Sequence, residues 1–255
     1  MLISAQVVPA GPAPLTPAPA GPTTASLGPA GPTLPPATEP LTAERRADIF
    51  MARKMYREAV ETYRQAPQDS AVVWNKMGIA YHQMVQLDTA RKHYERSLKL
   101  NPKYAEAINN LGTVNYAKKS YRRAVGLYNR ALKLTPNSAS IYSNLGTAQF
   151  ARRKYKEASE AYTKALSLDP DVFEHRSSYG TLLQERTIQE KAKFHYYLAK
   201  TYAHAGMNER ALQYLRMALE EGFKDRQKLQ EESEFAALRE LPEFQELMKL
   251  EPKVL

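Results

Sequence analysis

The chain has 255 residues, a formal net charge of +9 and no cysteine, which excludes disulfides and cysteine-based zinc sites. No apolar run reaches the ~18 residues that a membrane-spanning helix needs. The first residues lack a basic segment, so they form no complete signal peptide. Ile3-Ser-Ala resembles the end of one, which leaves export open if translation starts upstream.

Residues 1–40 differ in composition from the rest of the chain. They hold 11 of the 17 prolines, no Lys or Arg, and one acid, Glu39. A segment without aromatics or apolar periodicity cannot bury enough surface to offset the entropy of ordering. We therefore predict a disordered Pro/Ala/Gly-rich tail or semi-rigid spacer. In a second interpretation, residues 20–40 lie back on the following domain as a ligand of its own groove.

From residue 71 onward the sequence repeats every 34 residues. The residues that recur at this spacing are Met77, Leu111 and Leu145; Gly78, Gly112 and Gly146; Ala90, Ala124 and Ala158; Tyr94, Tyr128 and Tyr162; and Pro102, Pro136 and Pro170. Glycine inside a helix costs about 1 kcal/mol, so we expect these glycines where two helices approach closely, facing the alanines. The tyrosines are expected to fill the space between hairpins, and the prolines to end each second helix.

These residues resemble the tetratricopeptide repeat family, whose pattern has Leu-Gly at repeat positions 7–8, Ala at 20, an aromatic at 24, Ala at 27 and Pro at 32. Ser97 departs from it at position 27. The resemblance implies an all-α fold, a right-handed superhelix or α-solenoid of about five helix-turn-helix repeats. Weaker units flank the central three, one around Ala47 and Tyr63, the other around Leu198-Ala199 and Tyr202. Atypical end units are usual in repeat arrays.

The predicted domains are the tail at 1–40 and the solenoid at 41–250. The repeats are placed at about 41–70, 71–104, 105–138, 139–170 and 192–223, with an insertion at 171–187 and a cap at 224–250. The insertion is either a hairpin or a degenerate helix with Tyr179-Gly180 in register. Thr187 and Glu190 are spaced as a capping box that starts the next helix, and Gly222 follows the last repeat as a C-cap residue.

The C-terminal segment predicts two short amphipathic helices split at Pro242. Their apolar residues are Phe235, Leu238, Leu241, Phe244 and Leu247. We expect these side chains to cover the last helix pair, since a solenoid needs a cap with a polar outer face. The segment resembles the endings of bacterial members of the family.

The resemblance also implies a concave groove lined by the first helix of each repeat, at positions 2, 5, 9, 12 and 13, with position 6 at its edge. The candidate peptide-binding residues are Asn75, Ile79, His82, Asn109, Asn110, Thr113, Tyr116, Ser143, Asn144, Thr147 and Phe150. A carboxamide has a donor and an acceptor, so Asn110 and Asn144 can pair with a peptide backbone of any sequence. In some superhelices of this family a row of asparagines holds an extended peptide.

Two alternatives remain open for this groove. The amides are simply solvated, or they bind; His82, Tyr116 and Phe150 either contact a ligand or pack against the neighbouring hairpin. The family's clamp for acidic chaperone tails is not expected. Basic residues that it requires are replaced here by Ser140 and Asn144.

Basic residues concentrate in the turns between the two helices of the third and fourth repeats. We call this set the basic edge; it comprises Lys118, Lys119, Arg122, Arg123, Arg152, Arg153, Lys154 and Lys156. Such an edge suits RNA, anionic lipid heads or an acidic protein, or it is solvated and balanced by nearby acids. Nucleic acid is disfavoured as a partner because the aromatics occupy repeat-core positions instead of lying among these charges.

Catalysis has little support in the sequence. The 5 histidines show no His-Glu-x-x-His or other metal-ligand spacing, and no Gly-x-Ser-x-Gly motif occurs. We therefore expect no catalytic, metal or cofactor site and no cofactor. The predicted function is a non-catalytic protein–protein interaction scaffold that binds a partner protein or an extended peptide in the groove. The alternative is an assembly factor, or one that binds RNA or an anionic surface through the basic edge.

Overall fold

The computed structural model describes residues 41–174 and 187–250, and these residues form helices and turns without a β-strand. The helix pairs, called repeats one to five, are α1 (Ala43–Ala52) and α2 (Tyr56–Tyr63), α3 (Ala71–Gln83) and α4 (Leu87–Leu100), α5 (Ala105–Ala117) and α6 (Tyr121–Leu134), α7 (Ala139–Ala151) and α8 (Tyr155–Leu168), and α9 (Ile188–His204) and α10 (Asn208–Glu220). The predicted all-α array of hairpins is confirmed. No described helix is long and apolar enough to cross a membrane.

Several predictions concern residues outside this description. The tail at 1–40, with both interpretations of it, is one of them. The choice between hairpin and helix for the insertion falls on 175–186, which are also outside. At the end of the insertion the predicted capping box is confirmed, because Thr187 Oγ1 accepts from Glu190 N and Glu190 Oε2 accepts from Thr187 N, at 3.2 and 3.3 Å.

Each hairpin turn has the same geometry. One residue adopts a left-handed conformation, and these residues are Lys54, Val85, Lys119, Arg153 and Gly206, with φ between 57° and 73°. The residue after it donates its N–H back into the first helix, as Gln86 does to the Tyr81 carbonyl at 2.9 Å. This arrangement satisfies carbonyls that the helix end would leave unpaired. Gly222, at φ 89°, ends α10 in the same way, as predicted.

Val85 is the residue least suited to this turn, and replacing it with glycine is expected to stabilise the protein. A β-branched side chain at φ 61° is strained, and Val85 is 74% exposed, so little packing would be lost. Relief of about 1–2 kcal/mol exceeds the entropy that glycine adds to the unfolded chain. Val85→Gly should raise the thermal midpoint by about 2–4 °C. Gly206→Val is the reverse control; a lower midpoint for Val85→Gly would contradict the strain argument.

The core of each central repeat is a tyrosine packed on a glycine. A Cβ built on Gly112 would lie 2.6 Å from Tyr128 Cε1, and one on Gly78 would lie 2.5 Å from Tyr94 Cε1. Tyr128 is fully buried, as is Ala124. The close approach predicted at the glycines is therefore present, but its partner is the tyrosine of the same hairpin, which the sequence interpretation had placed between hairpins.

The fourth and fifth repeats are joined by aromatic side chains. Phe173, from the described start of the insertion, lies between Tyr162 and Tyr202, with ring centroids 5.4 and 6.1 Å away. Arg210 of α10 donates to Asp171. Aromatic contacts of this kind contribute about 0.5–1.5 kcal/mol each beyond their buried area. They contribute to the packing between the fourth and fifth repeats.

The C-terminal cap consists of α11 (Arg226–Glu231), a 3-10 turn (Ser233–Phe235), α12 (Ala236–Arg239) and α13 (Pro242–Lys249). Phe235, Leu238, Phe244 and Leu247 are at most 2% exposed and pack against the fifth repeat, while Leu241 is half-buried beside them. Pro242 starts the last helix, as predicted. The cap thus covers the apolar end of the array.

Candidate functional site

The first helices of repeats two, three and four are joined by one chain of side-chain hydrogen bonds, which we call the asparagine chain. Asn144 Nδ2 donates to Asn109 Oδ1 at 3.1 Å, and Asn109 Nδ2 donates to Asn110 Oδ1 at 3.3 Å. Asn110 Nδ2 donates to Asn75 Oδ1 at 3.0 Å, and Asn75 Nδ2 donates to Glu106 Oε1 at 3.0 Å. Every amide in the chain therefore has an internal partner.

The asparagine chain connects position 5 of one repeat with position 6 of the next. The same two positions hold Glu44 and Lys76 between repeats one and two, where Lys76 Nζ lies 2.7 Å from Glu44 Oε1 and 2.8 Å from Asp48 Oδ2. Burial acts to lower the pKa of Lys76, but hydrogen bonds and charges from Asp48 and Glu44 outweigh it and raise that pKa above its ordinary value. These polar contacts link the first helices of consecutive repeats.

Most of the predicted groove residues are buried in this arrangement. The buried ones, at most 8% exposed, are Asn75, Ile79, Asn109, Asn110, Thr113, Tyr116, Asn144, Thr147 and Phe150. His82 and Ser143 are half-buried. The premise that Asn110 and Asn144 stand open at the groove edge is corrected: neighbouring first helices pack so closely that the amides bond one another. That they bind a peptide stays a prediction.

The threonines and aromatics of the set contribute to packing. Thr113 Oγ1 and Thr147 Oγ1 each accept a hydrogen bond from the tyrosine of their own repeat, both at 3.3 Å. The Tyr116 ring lies 5.2 Å from that of Tyr121, and the Phe150 ring lies 5.4 Å from that of Phe194 in the next hairpin. These contacts correspond to the packing alternative.

His82 is the half-buried titratable group of the predicted set. Burial lowers its pKa below the ordinary histidine value, since a charged imidazolium is costly away from water. The lowered pKa favours the uncharged ring, which has one donor and one acceptor.

The basic edge lies at the surface as predicted. Lys118, Lys119, Arg122, Arg123, Arg153, Lys154 and Lys156 are exposed, and Arg152 is half-buried. Lys118 Nζ lies 2.6 Å from Asp88 Oδ1, which places the turn of the third repeat beside that of the second. The hydrogen bond from Lys118 holds the pKa of Asp88 below its ordinary value. The turns of the second and third repeats therefore lie side by side.

Among the described residues, His195 of α9 is the buried histidine. His195 is 8% exposed, and its Nδ1 lies 2.6 Å from Glu221 Oε2. Within residues 41–174 and 187–250, no group of three or more His, Asp or Glu side chains is placed to hold a metal ion.

The sequence interpretation missed two features of the site. It assigned the amides individually, although Asn75 and Asn110, like Asn109 and Asn144, are 35 residues apart, one more than the repeat length. That spacing was the available signal for contacts between position 5 and position 6. It also missed the aromatic junction around Phe173, for which the clustering of aromatics between residues 194 and 202 was the signal.

The chain matches known repeats over its central part. Family models described as tetratricopeptide repeat match residues 69–137 and 139–172. A curated relative, the Arabidopsis thaliana tetratricopeptide repeat domain-containing protein PYG7, chloroplastic, is 35% identical over 68 residues, or 27% of this chain. The match spans 23% of that relative's length.

Solved structures with a similar course of the chain include repeat proteins. MamA from Desulfovibrio magneticus RS-1 is 19% identical, with a TM-score of 0.49, and the match covers 72% of this chain and 94% of that one. YrrB, described as a TPR protein with an unusual peptide-binding site, is 18% identical, with a TM-score of 0.47 and coverages of 78% and 91%. From the signature residues in register, the helix hairpins they form and the two family-model matches, the chain is a tetratricopeptide-repeat-containing protein.

Proposed function

We propose that the chain is a non-catalytic scaffold that binds another protein along the concave face of the solenoid. The observation that carries this proposal is a row of exposed side chains at repeat position 2: Leu41, which precedes α1, and Val72, Glu106 and Ser140 in the first helices of repeats two to four. Leu41 is 46% exposed and Val72 39% exposed, although both are large and apolar. A partner that covers them would remove apolar surface from water.

The asparagine chain supports this proposal because it forms the base of the concave face. Because each amide is bonded internally, the first helices are held in a fixed relative arrangement. A fixed surface loses little conformational entropy on binding. The contacts to a partner are then made by the position-2 row and by the half-buried His82 and Ser143. An extended segment of the partner fits a row that advances by one side chain per repeat.

The experiment places a photo-crosslinking amino acid at Val72 or Ser140 in cells of the source organism. Matched control positions are Asn129 and Gln213, which are exposed on second helices. We expect one protein to be crosslinked at the two groove positions, with its adducts mapping to a single short segment. A Val72→Glu variant should weaken binding of that protein at least about tenfold, because a charge would be buried against an apolar contact.

Two results would contradict the proposal. Equal crosslinking at the control positions would show that the concave face has no preference. Undiminished binding by Val72→Glu, with an unchanged unfolding transition, would show that the position-2 row does not contact the partner.

A further inference from the structure

The basic edge contains cations that have no acidic partner in the described part of the chain. These are Lys119, Arg122, Arg123, Arg153 and Lys156, all of them exposed. Of the other members, Lys118 pairs with Asp88, Lys154 Nζ lies 3.9 Å from Glu157 Oε1, and the half-buried Arg152 donates to Gln149 Oε1 at 3.0 Å. The equivalent turns of two adjacent repeats thus carry unneutralised positive charge.

The position of two of these cations is unfavourable for the fold itself. Arg122 and Arg123 lie in the first turn of α6, which contains no acidic residue. The N-terminal end of a helix carries a partial positive charge and is stabilised by acids and destabilised by cations. Stability of α6 therefore does not explain why arginines stand there.

An exposed apolar side chain occupies the equivalent turn of the preceding repeat. Val85 occupies the turn position of repeat two that Lys54, Lys119 and Arg153 occupy in the other repeats. It is 74% exposed, the highest value among the large apolar residues that are exposed. Since the turns of repeats two and three touch through Asp88 and Lys118, Val85 is exposed in the turn next to the one that carries Lys119, Arg122 and Arg123.

We propose that the basic edge docks on the surface of a membrane that contains anionic lipids, with Val85 entering the headgroup region. Cations next to a projecting apolar side chain are what peripheral proteins use at such surfaces. Each Lys or Arg near an anionic bilayer strengthens binding about fivefold, so five unpaired cations give on the order of 10³-fold preference over a neutral bilayer. The cations lie on a row of turns, and they do not require negative charges at fixed positions in the partner.

Nucleic acid fits this edge less well. Binding of single strands relies on open aromatic faces among the cations. The Tyr155 ring is stacked on Tyr197 at 4.9 Å and has Lys193 Nζ 3.9 Å from its centroid. The Tyr121 ring packs on Tyr116. The aromatic faces nearest the edge are therefore occupied within the protein.

The test is flotation of the full chain with phosphatidylcholine vesicles, with and without phosphatidylglycerol. We expect binding only to the anionic vesicles and release by salt. Arg122→Glu/Arg123→Glu should weaken binding at least about 25-fold, while its thermal midpoint is unchanged or rises by about 2–4 °C, because acids replace cations at the helix start. Val85→Asn should weaken binding about threefold. The variant Arg153→Glu/Lys156→Glu applies the same test to the turn of the fourth repeat.

The control is Lys99→Glu/Lys133→Glu, which changes net charge equally in the last turns of α4 and α6, at the opposite edge. Full binding by this control, with loss in both edge variants, supports the proposal. It is overturned if the wild type does not float with anionic vesicles, or if the control loses as much binding as the edge variants. It is also overturned if RNA displaces the protein from vesicles and binds it through the same residues, which would make nucleic acid the partner.

Discussion

Asn109→Ala is expected to lower the free energy of unfolding by about 3 kcal/mol, although it removes no apolar contact of the core. Asn109 both donates and accepts in the asparagine chain, so its loss removes the hydrogen bonds to Asn110 Oδ1 and from Asn144 Nδ2 at once. Both neighbours are at most 3% exposed. Leaving the buried Asn110 Oδ1 without this donor costs about 1–3 kcal/mol, and the lost bond from Asn144 adds about 0.5–1.5 kcal/mol.

Denaturation in urea, followed by circular dichroism, measures this loss. The matched control is Asn129→Ala, the same substitution at an exposed position of α6, which should change stability by less than about 0.5 kcal/mol. Asn75→Ala and Asn110→Ala should be non-additive in combination, because their amides bond directly at 3.0 Å. A cost for Asn109→Ala no greater than that of the control would show that the chain of hydrogen bonds does not stabilise the stack.

The asparagine chain also changes how the groove can be tested. A double substitution of Asn110 and Asn144 would remove the candidate peptide-binding amides and the inter-repeat bonds together, so lost binding would not identify the site. Val72 and Ser140 are exposed on the same face without a role in the chain. They separate the contact with a partner from the stability of the array, which is why the proposed crosslinking experiment uses them.

Much of the fold follows from local chemistry that recurs in the sequence. Gly78, Gly112 and Gly146 mark close helix contacts. Thr187 and Glu190 form the expected capping box, and Pro242 divides the cap at the predicted position. Each of these residues acts within one hairpin or one turn. Their effect can therefore be derived from short-range geometry, without knowledge of how the hairpins stack.

The arrangement of the candidate site depends on how the repeats stack, and the sequence alone did not predict that stacking. Whether Asn110 faces solvent or Asn75 is decided by the distance and rotation between successive first helices, which no single repeat encodes. The family pattern assigned positions 5 and 6 to the groove lining and its edge. In this chain both positions carry short amides, so the helices approach until the amides bond each other. The basic edge was easier to predict, because turn residues are exposed whatever the stacking.

A second large effect is expected from Gly112→Ala, with the opposite sign from the same substitution at Gly126. Both glycines are in helices of repeat three, where alanine would otherwise gain about 1 kcal/mol. A Cβ on Gly126 meets nothing within 4 Å, so Gly126→Ala should stabilise the protein by about that amount. A Cβ on Gly112 would lie 2.6 Å from Cε1 and 2.9 Å from Cδ1 of Tyr128.

Tyr128 cannot easily yield to that Cβ. Its ring is fully buried, and its hydroxyl is 3.3 Å from Thr113 Oγ1, one residue from the glycine. Overpacking costs about 1–3 kcal/mol, and the 2.6 Å approach places this site at the upper end, about 2 kcal/mol above the gain in helix propensity. We therefore expect Gly112→Ala to lose about 2 kcal/mol and the two variants to differ in thermal midpoint by about 6–12 °C. If both variants were stabilised, the hairpin would be able to open, and the glycine would not be required by the tyrosine.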